Sequence, residues 1–307
     1  MDAPVILTDH SSITNLVSGY ESINLAVKDP LRTANYKWCD FIAPVVLADT
    51  EALSNKGERA VVKILEARLK SVMGMLKREW EKQIVAGSST VLTNLESLYY
   101  GGTGGTQGWF SDTAFGSQAS TIGGIAQNAF PTAWQHQVNT TKAYNATTNS
   151  ISENFAEIYV ESQIYAPQGQ VDIILCSPAL YRAYKAELET RERYTSVAAT
   201  KDMAGKLVLM FNGAACYVEP FMLETAGSGL TAYTSAGGGA SGNYIHAYML
   251  NSDLFNLYFD KDAFFTLGDM ERISGYAAAS ANIMTRVQMT TQNLSGHGVV
   301  TFNSRTF

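Results

Sequence analysis

The segment from 58 to 86 constrains the fold more than any other part of the chain. Its apolar residues recur at intervals of three and four, with charged residues between them: Val61, Leu65, Leu69, Val72, Leu76, Trp80 and Ile84. This period predicts one amphipathic helix of about 29 residues, roughly 43 Å long at 1.5 Å per residue. Gly87 follows the last turn, where glycine commonly ends a helix. A single stripe with a period close to 3.6 argues against a coiled coil, so we expect the helix to support the other elements of a domain.

The residues before this helix show no helical period. Residues 1–30 hold only short apolar runs, which predicts an extended arm without a core of its own. Residues 31–57 contain two aromatic and β-branched stretches, at 36–43 and 44–48, and end in the turn signal Asn-Lys-Gly at 55–57. We expect the two stretches to pair as the strands of a long hairpin.

The segment 88–148 is rich in glycine, serine, threonine, asparagine and aromatic residues. This composition predicts loops and short strands that are ordered by packing on a larger unit. Residues 149–220 then return to alternating helices and strands. A helix is expected from about 152 to 165, followed by a buried strand at 171–176.

The second half of the chain carries clear start and turn signals. Ser177-Pro178 is a favourable N-cap and first-turn pair for a second helix. Asn212-Gly213 is the dipeptide most favoured in two-residue hairpin turns, so strands are expected on both sides of it. The glycine- and serine-rich stretch 225–243 predicts a flexible loop, and 244–307 reads as strands that return to a sheet.

Composition excludes several classes of protein. Only 16% of the residues are charged and 46% are hydrophobic, which is consistent with a large core or with a surface covered by partner subunits. The net charge of −6 and the lack of a basic tail argue against sequence-specific binding of nucleic acid. The cysteines are odd in number and widely spaced, as expected of free thiols in a reducing cytoplasm: Cys39, Cys176 and Cys216. Because no signal peptide and no apolar run of about 18 residues occur, we expect neither export nor a membrane-spanning helix.

Side chains that could carry chemistry are scattered. None of the histidines has a second His or Cys at metal-ligand spacing: His10, His136, His246 and His297. The glycine run at 101–105 lacks the Gly-Lys-Ser/Thr ending of a phosphate loop. Asp40, Asp49 and Glu51 could form a carboxylate cluster, although solvated turn residues are the simpler interpretation. We therefore predict no catalytic, cofactor-binding or metal-binding residue, no cofactor and no enzymatic activity.

Basic residues outnumber acidic ones along the long helix: Arg59, Lys63, Arg68, Lys70, Lys77, Arg78 and Lys82. A solvated helix face is the simplest interpretation. A weak electrostatic surface towards nucleic acid or towards a neighbouring chain is the alternative.

The order of these parts, together with local motifs, carries a resemblance to a known family. One motif is Thr121-Ile122-Gly123-Gly124-Ile125 followed by Pro131 and Trp134, and a second runs from Gly169 to Tyr184 as strand and helix. Further matches are Arg193-Tyr194 and Met210–Ala214 with Tyr217-Val218. The whole chain resembles the major capsid protein of tailed bacteriophages, which has the α+β shell fold named after phage Hong Kong 97.

The resemblance implies a division of the chain into the parts of that shell fold. These are an N-arm at 1–30, an E-loop at 31–57, the first part of the P-domain at 58–147 with its spine helix at 58–86, an A-domain at 148–247, and the return strands of the P-domain at 248–307. It also implies that the loop at 225–243 lies near the axis of the capsomer. Because the arm and the E-loop have little capacity for a core of their own, we expect them to contact mainly other subunits.

The implied function is structural. The subunit would self-assemble through pentamers and hexamers into an icosahedral capsid around a double-stranded DNA genome, with DNA contacted without sequence specificity and no membrane partner. The alternatives are an encapsulin-type nanocompartment and another virion protein, such as a tail protein. The implied location is the virion capsid, assembled in the cytoplasm of the bacterial host.

Two departures from the family bear on partners. No long charged segment precedes the arm, so we expect any scaffolding protein, like any portal or decoration protein, to be a separate chain. Some relatives join a lysine of the E-loop to an asparagine of a neighbour. Lys37, Lys56, Asn293 and Asn303 lie in the corresponding regions, but their surroundings in the sequence assign them no such role.

Overall fold

The structure is a computed structural model that describes residues 1–7, 31–54, 58–86, 92, 94–96, 108–110, 114–139, 149–166, 169–190, 199–201, 207–222 and 245–302. Several predicted features lie outside the described residues, namely residues 8–30 of the arm, the turn at 55–57, the glycine run at 101–105, the motif Arg193-Tyr194 and the loop at 225–243.

Four α-helices are described, of which the second has the predicted bounds: α1 Asp49–Ser54, α2 Glu58–Ala86, α3 Ile151–Tyr165 and α4 Pro178–Thr190. Short 3-10 turns occur at Gln127–Ala129, Lys261–Ala263 and Leu294–Gly296. The strands in the first half of the chain are β1 Asp2–Ile6, β2 Leu31–Asn35, β3 Cys39–Ala48, β4 Asn94–Glu96, β5 Gly108–Phe110, β6 Thr121–Ile122, β7 Ile125–Ala126 and β8 Gln137–Val138. Those in the second half are β9 Ile173–Cys176, β10 Ala199–Lys201, β11 Leu207–Phe211, β12 Ala214–Val218, β13 Ile245–Leu250, β14 Phe255–Phe259, β15 Thr266–Leu267, β16 Glu271–Arg272, β17 Ala278–Thr291 and β18 Gly298–Phe302.

A seven-stranded sheet forms one half of the fold, in the order β10-β11-β12-β9-β13-β18-β8. β9 runs parallel to β12 and antiparallel to β13. The predicted hairpin is confirmed, because β11 and β12 pair across Asn212 and Gly213, which have φ angles of 46° and 91°. Both residues thus adopt the left-handed conformation that a tight two-residue hairpin turn requires.

Helices α3 and α4 cover one face of this sheet. Ser150 caps α3 and accepts a hydrogen bond from the backbone N–H of Glu153, whose carboxylate accepts in turn from the backbone N–H of Ser150. The buried carboxylate of Glu187 on α4 accepts the backbone N–H of Ile151 at 2.9 Å, which ties the two helices together. Both helices bury apolar side chains in one cluster with the sheet: Ile151, Phe155, Ile158, Leu180, Ala183, Tyr184, Ile174, Cys176, Ala247, Met249 and Val300.

A second apolar cluster covers the opposite face of the same sheet. It is built from the glycine-rich segment, the N-terminal strands, the end of α2 and the alternate residues of β13 and β18: Val5, Tyr36, Val85, Trp109, Phe110, Ile122, Trp134, Tyr248, Leu250, Met289 and Val299. The prediction that residues 88–148 are ordered by packing on a larger unit is thereby confirmed for the described part of that segment.

A five-stranded sheet is organised around the long strand β17. β14, β15 and β16 pair with one side of β17, and β3 pairs with the other side along its whole length, from Cys39 opposite Val287 to Ala48 opposite Ala278. The predicted apolar stripe of α2 packs on one face of this sheet: Leu65, Leu69, Val72, Met73 and Leu76 against Phe41, Ala43, Val45, Phe265 and Ile283.

The predicted hairpin at 31–57 is wrong. β2 pairs with β1 and β3 pairs with β17, while residues 49–54 form the helix α1. Acidic Asp49 and Glu51 in the first turn of α1 favour a helix start there. The pairing partner of β3 is therefore β17, a strand that lies far away in the sequence. A local turn signal does not reveal such a long-range pairing.

The expectation that the arm and the E-loop contact mainly other subunits is wrong for residues 1–7 and 31–36. Val5 and Tyr36 are almost fully buried within their own chain. The backbone N–H of Asn35 donates to the carbonyl of Gly123 at 2.8 Å, and Gly123 has a φ of 58°. A Cβ atom at Gly123 would lie 3.0 Å from the Tyr36 ring, so glycine is required for this close approach.

The predicted boundary at 247/248 cuts through a single strand, because β13 spans Ile245–Leu250. The last strand, β18, lies beside β13 in the seven-stranded sheet. Residues 248–302 therefore contribute to both sheets.

Candidate assembly surfaces

Three of the histidines are buried structural residues: His136, His246 and His297. The Nδ1 atom of His297 accepts the backbone N–H of Asn251 at 3.1 Å, and its Nε2 atom lies 3.1 Å from the hydroxyl of Thr291. The ring stacks on Trp109. Burial lowers the pKa of His297 to about 3, with a further contribution from the neighbouring His136, so the ring is neutral at physiological pH. His10 lies outside the described residues.

The three carboxylates considered as a cluster are not brought together. Each forms its own ion pair: Asp40 with Arg286 at 2.6 Å, Asp49 with Arg272 at 2.8 Å, and Glu51 with Arg68 at 2.6 Å. The hydrogen bond from Arg68 lowers the pKa of Glu51, and the hydrogen bond to Asp40 raises the pKa of Arg286. These side chains fasten β3 and α1 to their neighbours and leave no pair of carboxylates for acid–base chemistry.

Within the described ranges, no group of three or more His, Cys, Asp or Glu side chains could hold a metal ion. All three cysteines are free thiols, and a hydrogen bond with Cys216 together with burial raises the pKa of Cys176. The side chain of Asn293 caps a 3-10 turn by accepting the backbone N–H of Ser295. Lys37 is exposed, while Lys56 and Asn303 lie outside the described residues. No described helix is long and apolar enough to cross a membrane.

The outer face of the five-stranded sheet exposes apolar side chains of β3 beside polar side chains of β17, such as Asn282 and Arg286. The odd-numbered residues of β3 face α2, so the even-numbered ones point away from it. Ile42 is 60% exposed and Val46 is 43% exposed, and Tyr258 on β14 adds an exposed ring on the same face. β3 is an edge strand among the described strands, since only β17 pairs with it. An exposed apolar face along a free edge is typical of an interface with another chain.

A second exposed surface runs along the outer side of α3. Val160 and Ile164 are 53% and 67% exposed, and the acidic Glu153 and Glu157 lie one and two turns before them on the same side. Helix α3 contains no lysine or arginine. This surface was not predicted from the sequence, although the spacing from the Ser150 cap places its residues opposite the buried Ile151, Phe155 and Ile158.

A third exposed surface lies on the side of α2 that faces away from the sheet. It contains Ser71, Gly74, Met75, Arg78 and the partly exposed Lys82. Met75 is 70% exposed. This surface includes part of the basic helix face that the sequence predicted, and it combines positive charge with small and apolar side chains.

Comparison with solved structures shows which proteins share this fold. The chain is similar to a chain of the cyanophage A-1(L) capsid, with a TM-score of 0.58 and 10% identity over 99% of this chain and 88% of that chain. It is similar to a chain of Gordonia phage Cozz, with a TM-score of 0.53 and 14% identity over 98% and 80% of the two chains. The SrpI encapsulin of Synechococcus elongatus PCC 7942, in its holo complex, has a TM-score of 0.52 and 10% identity over 89% and 76%.

The chain matches no protein-family model and no curated protein sequence. Identities of 10–14% establish a common fold and nothing finer. The prediction of the fold class is confirmed: the chain has the α+β shell fold of the Hong Kong 97 type.

Proposed function

We propose that this chain is a structural subunit that self-assembles into the icosahedral capsid of a tailed bacteriophage, around a double-stranded DNA genome. The observation that carries the proposal is the agreement with a phage capsid chain along 99% of the sequence, at a TM-score of 0.58. The exposed apolar side chains of β3 and α3 support it, because apolar surface that a single subunit exposes to water is typical of an interface with another chain.

Assembly would be driven by the burial of apolar surface at many symmetric contacts, each of modest size. Identical subunits would form pentamers and hexamers, and the stability of each subunit would increase with every neighbour that covers its exposed faces. The chain would have no catalytic role.

We assign α2 and the five-stranded sheet to the P-domain, and the seven-stranded sheet with α3 and α4 to the A-domain. The N-arm and the E-loop would be the segments 1–30 and 31–57, of which the strands β1 and β2 lie against their own chain. The reach towards neighbouring subunits would then come from the remaining parts of both segments.

The partners would be further copies of the chain, separate scaffolding, portal and decoration proteins, and packaged DNA that is enclosed without base readout. The net charge of −6 supports weak DNA contact, since tight binding requires a basic surface. Assembly would take place in the cytoplasm of the host bacterium, and the mature subunit would be part of the virion.

Negative-stain electron microscopy of the purified, expressed chain tests the proposal. We expect closed shells with icosahedral symmetry, formed by the chain alone or after addition of a co-expressed scaffolding protein. Tubes, open rings or single subunits under both conditions would contradict a capsid role and favour a tail or other virion protein.

The second candidate is an encapsulin-type compartment, which is favoured by the similarity to the SrpI encapsulin. The contents of native particles separate the two functions. A capsid predicts nuclease-resistant DNA of uniform length inside the shell, whereas a compartment predicts a protein cargo and no protected DNA.

A further inference from the structure

Two exposed helix faces of the chain carry patterns that match each other. On α3, Glu153, Glu157, Val160 and Ile164 follow one another at spacings of four, three and four residues and share the side of the helix that faces away from the sheet. The first half of this face is acidic and the second half is apolar.

On α2, Ser71, Met75, Arg78 and Lys82 follow one another at the same spacings of four, three and four. Here the first half is small and apolar and the second half is basic. Gly74 lies beside Met75, and no described residue of the chain lies within 4 Å of the position where its Cβ atom would be. Glycine weakens a helix relative to alanine, so its presence there is not explained by packing within the subunit.

The two patterns are complementary only when the helices run antiparallel. Each set spans 11 residue steps, about 16.5 Å at 1.5 Å per residue. All four positions of one helix can therefore lie opposite the four positions of the other. Ile164 then lies over Ser71 and Val160 over Met75, where the small side chains allow close approach. Glu157 meets Arg78 and Glu153 meets Lys82. In the parallel orientation Ile164 would face Lys82 and the carboxylates would face the apolar half.

We propose that α3 of one subunit packs antiparallel on α2 of a neighbouring copy of the same chain, through these two faces. The proposal rests on the function proposed above, because it names one contact by which copies of the subunit assemble. Both faces are exposed in the single chain, so neither is covered by the other within one subunit.

The contact joins two different surfaces of identical subunits, which makes it heterologous. Such contacts propagate from subunit to subunit and close into rings when the rotation fits, whereas a self-complementary patch stops at a dimer. A ring-forming contact is what a capsomer requires.

The groups that would form the ion pairs have local neighbours in the isolated subunit. Lys82 lies 3.9 Å from Glu79, and the guanidinium of Arg78 lies 5.7 Å from the centre of the Phe221 ring. Glu153 also belongs to the cap of α3, so its replacement would weaken the helix itself. Glu157 is therefore the position of choice for a charge reversal.

Charge reversal provides the first test. We expect Arg78→Glu and Glu157→Arg each to raise the subunit concentration needed for particle formation at least about tenfold, because each places like charges at the contact. The double variant restores the opposite charges and should return to within about twofold of the original. Lys185→Glu, at an exposed position of α4, is the matched control and should have no effect. Failure of the double variant to recover, while both single variants are impaired, would overturn the proposal.

Disulfide trapping provides a second test that does not require closed shells. With diamide as the oxidant of the paired thiols, Ser71→Cys/Ile164→Cys should give a ladder of covalent multimers beyond the dimer. Lys82→Cys/Ile164→Cys should give no multimers, because these two positions would face each other only in the parallel orientation. The unaltered chain shows whether its own partly exposed thiol, Cys39, forms disulfides between subunits.

The two tests separate this inference from the proposed function. Shells without the Ser71–Ile164 ladder would overturn the helix contact and leave the capsid function standing. The ladder without shells under any assembly condition would support the contact and contradict the capsid function. A ladder from the Lys82–Ile164 pair alone would overturn the antiparallel arrangement.

Discussion

The two large sheets of this chain are completed in different ways. The seven-stranded sheet is covered on both faces by its own chain, by α3 and α4 on one side and by the segment 108–138 with the N-terminal strands on the other. Among the described residues, the five-stranded sheet packs against α2 on one face and exposes Ile42 and Val46 on the other. The first sheet therefore has a core of its own, and the second has a face that is left for a partner.

The polar side chains of the two regions also differ in how deeply they are buried. In the seven-stranded sheet, the buried amide of Asn139 donates to Asn154 at 2.8 Å and accepts the backbone N–H of Thr301 at 2.8 Å. Such buried bonds are costly to break because a desolvated partner is left behind. The five-stranded sheet has ion pairs at its surface, such as Arg286 with Asp40. Ion pairs that are exposed to water contribute little to the free energy of unfolding. This contrast predicts that the two regions respond differently to mutation.

The largest expected effect lies in the core of the seven-stranded sheet. Phe155 is fully buried against Tyr184 and Phe211. Phe155→Ala should lower the free energy of unfolding by about 3–5 kcal/mol, because it leaves a cavity that the helices cannot close. Denaturant titration of unassembled subunits measures this effect. Phe264→Ala makes the same change at a ring that is 50% exposed, and a loss as large as that of Phe155→Ala would contradict the contrast between the two regions.

Acid should weaken the cluster that joins the two sheets, where His297 stacks on Trp109. Because its pKa is lowered to about 3 in the folded chain, the unfolded chain binds a proton that the folded chain does not bind between about pH 6.5 and 3. Above pH 6.5 both states are neutral at this ring, and below it the free energy of unfolding should fall by about 1.4 kcal/mol per pH unit. From pH 6.5, where the unfolded ring is half protonated, to pH 4.5 this amounts to roughly 2 kcal/mol.

Denaturant titrations at several pH values isolate this contribution. His297→Gln should lower the stability at neutral pH and reduce the acid slope by one proton relative to the unaltered chain. If the two slopes were equal, another group would be responsible for the loss at low pH.

The sequence predicted those elements whose signals are local. The stripe of α2, the Ser177-Pro178 start of α4 and the Asn212-Gly213 turn are each fixed by neighbouring residues, and all three occur as expected. The pairing of β3 was predicted wrongly, because its partner β17 lies more than two hundred residues away and the alternation of β3 fits many strands equally well.

The assembly surfaces were harder to predict from the sequence than the fold was. The pattern at 153–164 is visible once the start of α3 is known, but apolar and acidic residues on a helix do not reveal which side the sheet will cover. The opposite faces of β3 were indistinguishable until α2 was placed on one of them. The resemblance to capsid proteins indicated the fold correctly, whereas the short apolar runs of the N-terminal segments suggested wrongly that β1 and β2 have no core within their own chain.

A smaller effect is expected at the edge of the five-stranded sheet. Trp80 lies on the stripe of α2, is only partly buried, and meets Phe259 edge to face with ring centres 5.3 Å apart. Trp80→Ala should lower the free energy of unfolding by about 2 kcal/mol, which is less than at a fully buried aromatic ring. Trp80→Phe keeps an aromatic contact and should recover most of the loss in the same titration. A loss in Trp80→Ala as large as in Phe155→Ala would show that α2 closes a core as complete as that of the other sheet.

The smallest effect on the subunit should accompany a large effect on assembly. Ile42 is 60% exposed on the outer face of β3, so Ile42→Ser removes little buried apolar surface within the described part of the chain. Its free energy of unfolding should change by less than about 0.5 kcal/mol.

In a shell the same substitution places a hydroxyl where a neighbour buries apolar surface, and the loss is repeated in every subunit. We therefore expect the yield of particles in sedimentation to fall several-fold while the denaturation curve of free subunits stays in place. Asn282→Ser, a polar exchange on the same face, serves as the control. Normal particle yield from Ile42→Ser would mean that this face remains in solvent in the assembly, and the contrast between the two sheets would then concern folding alone.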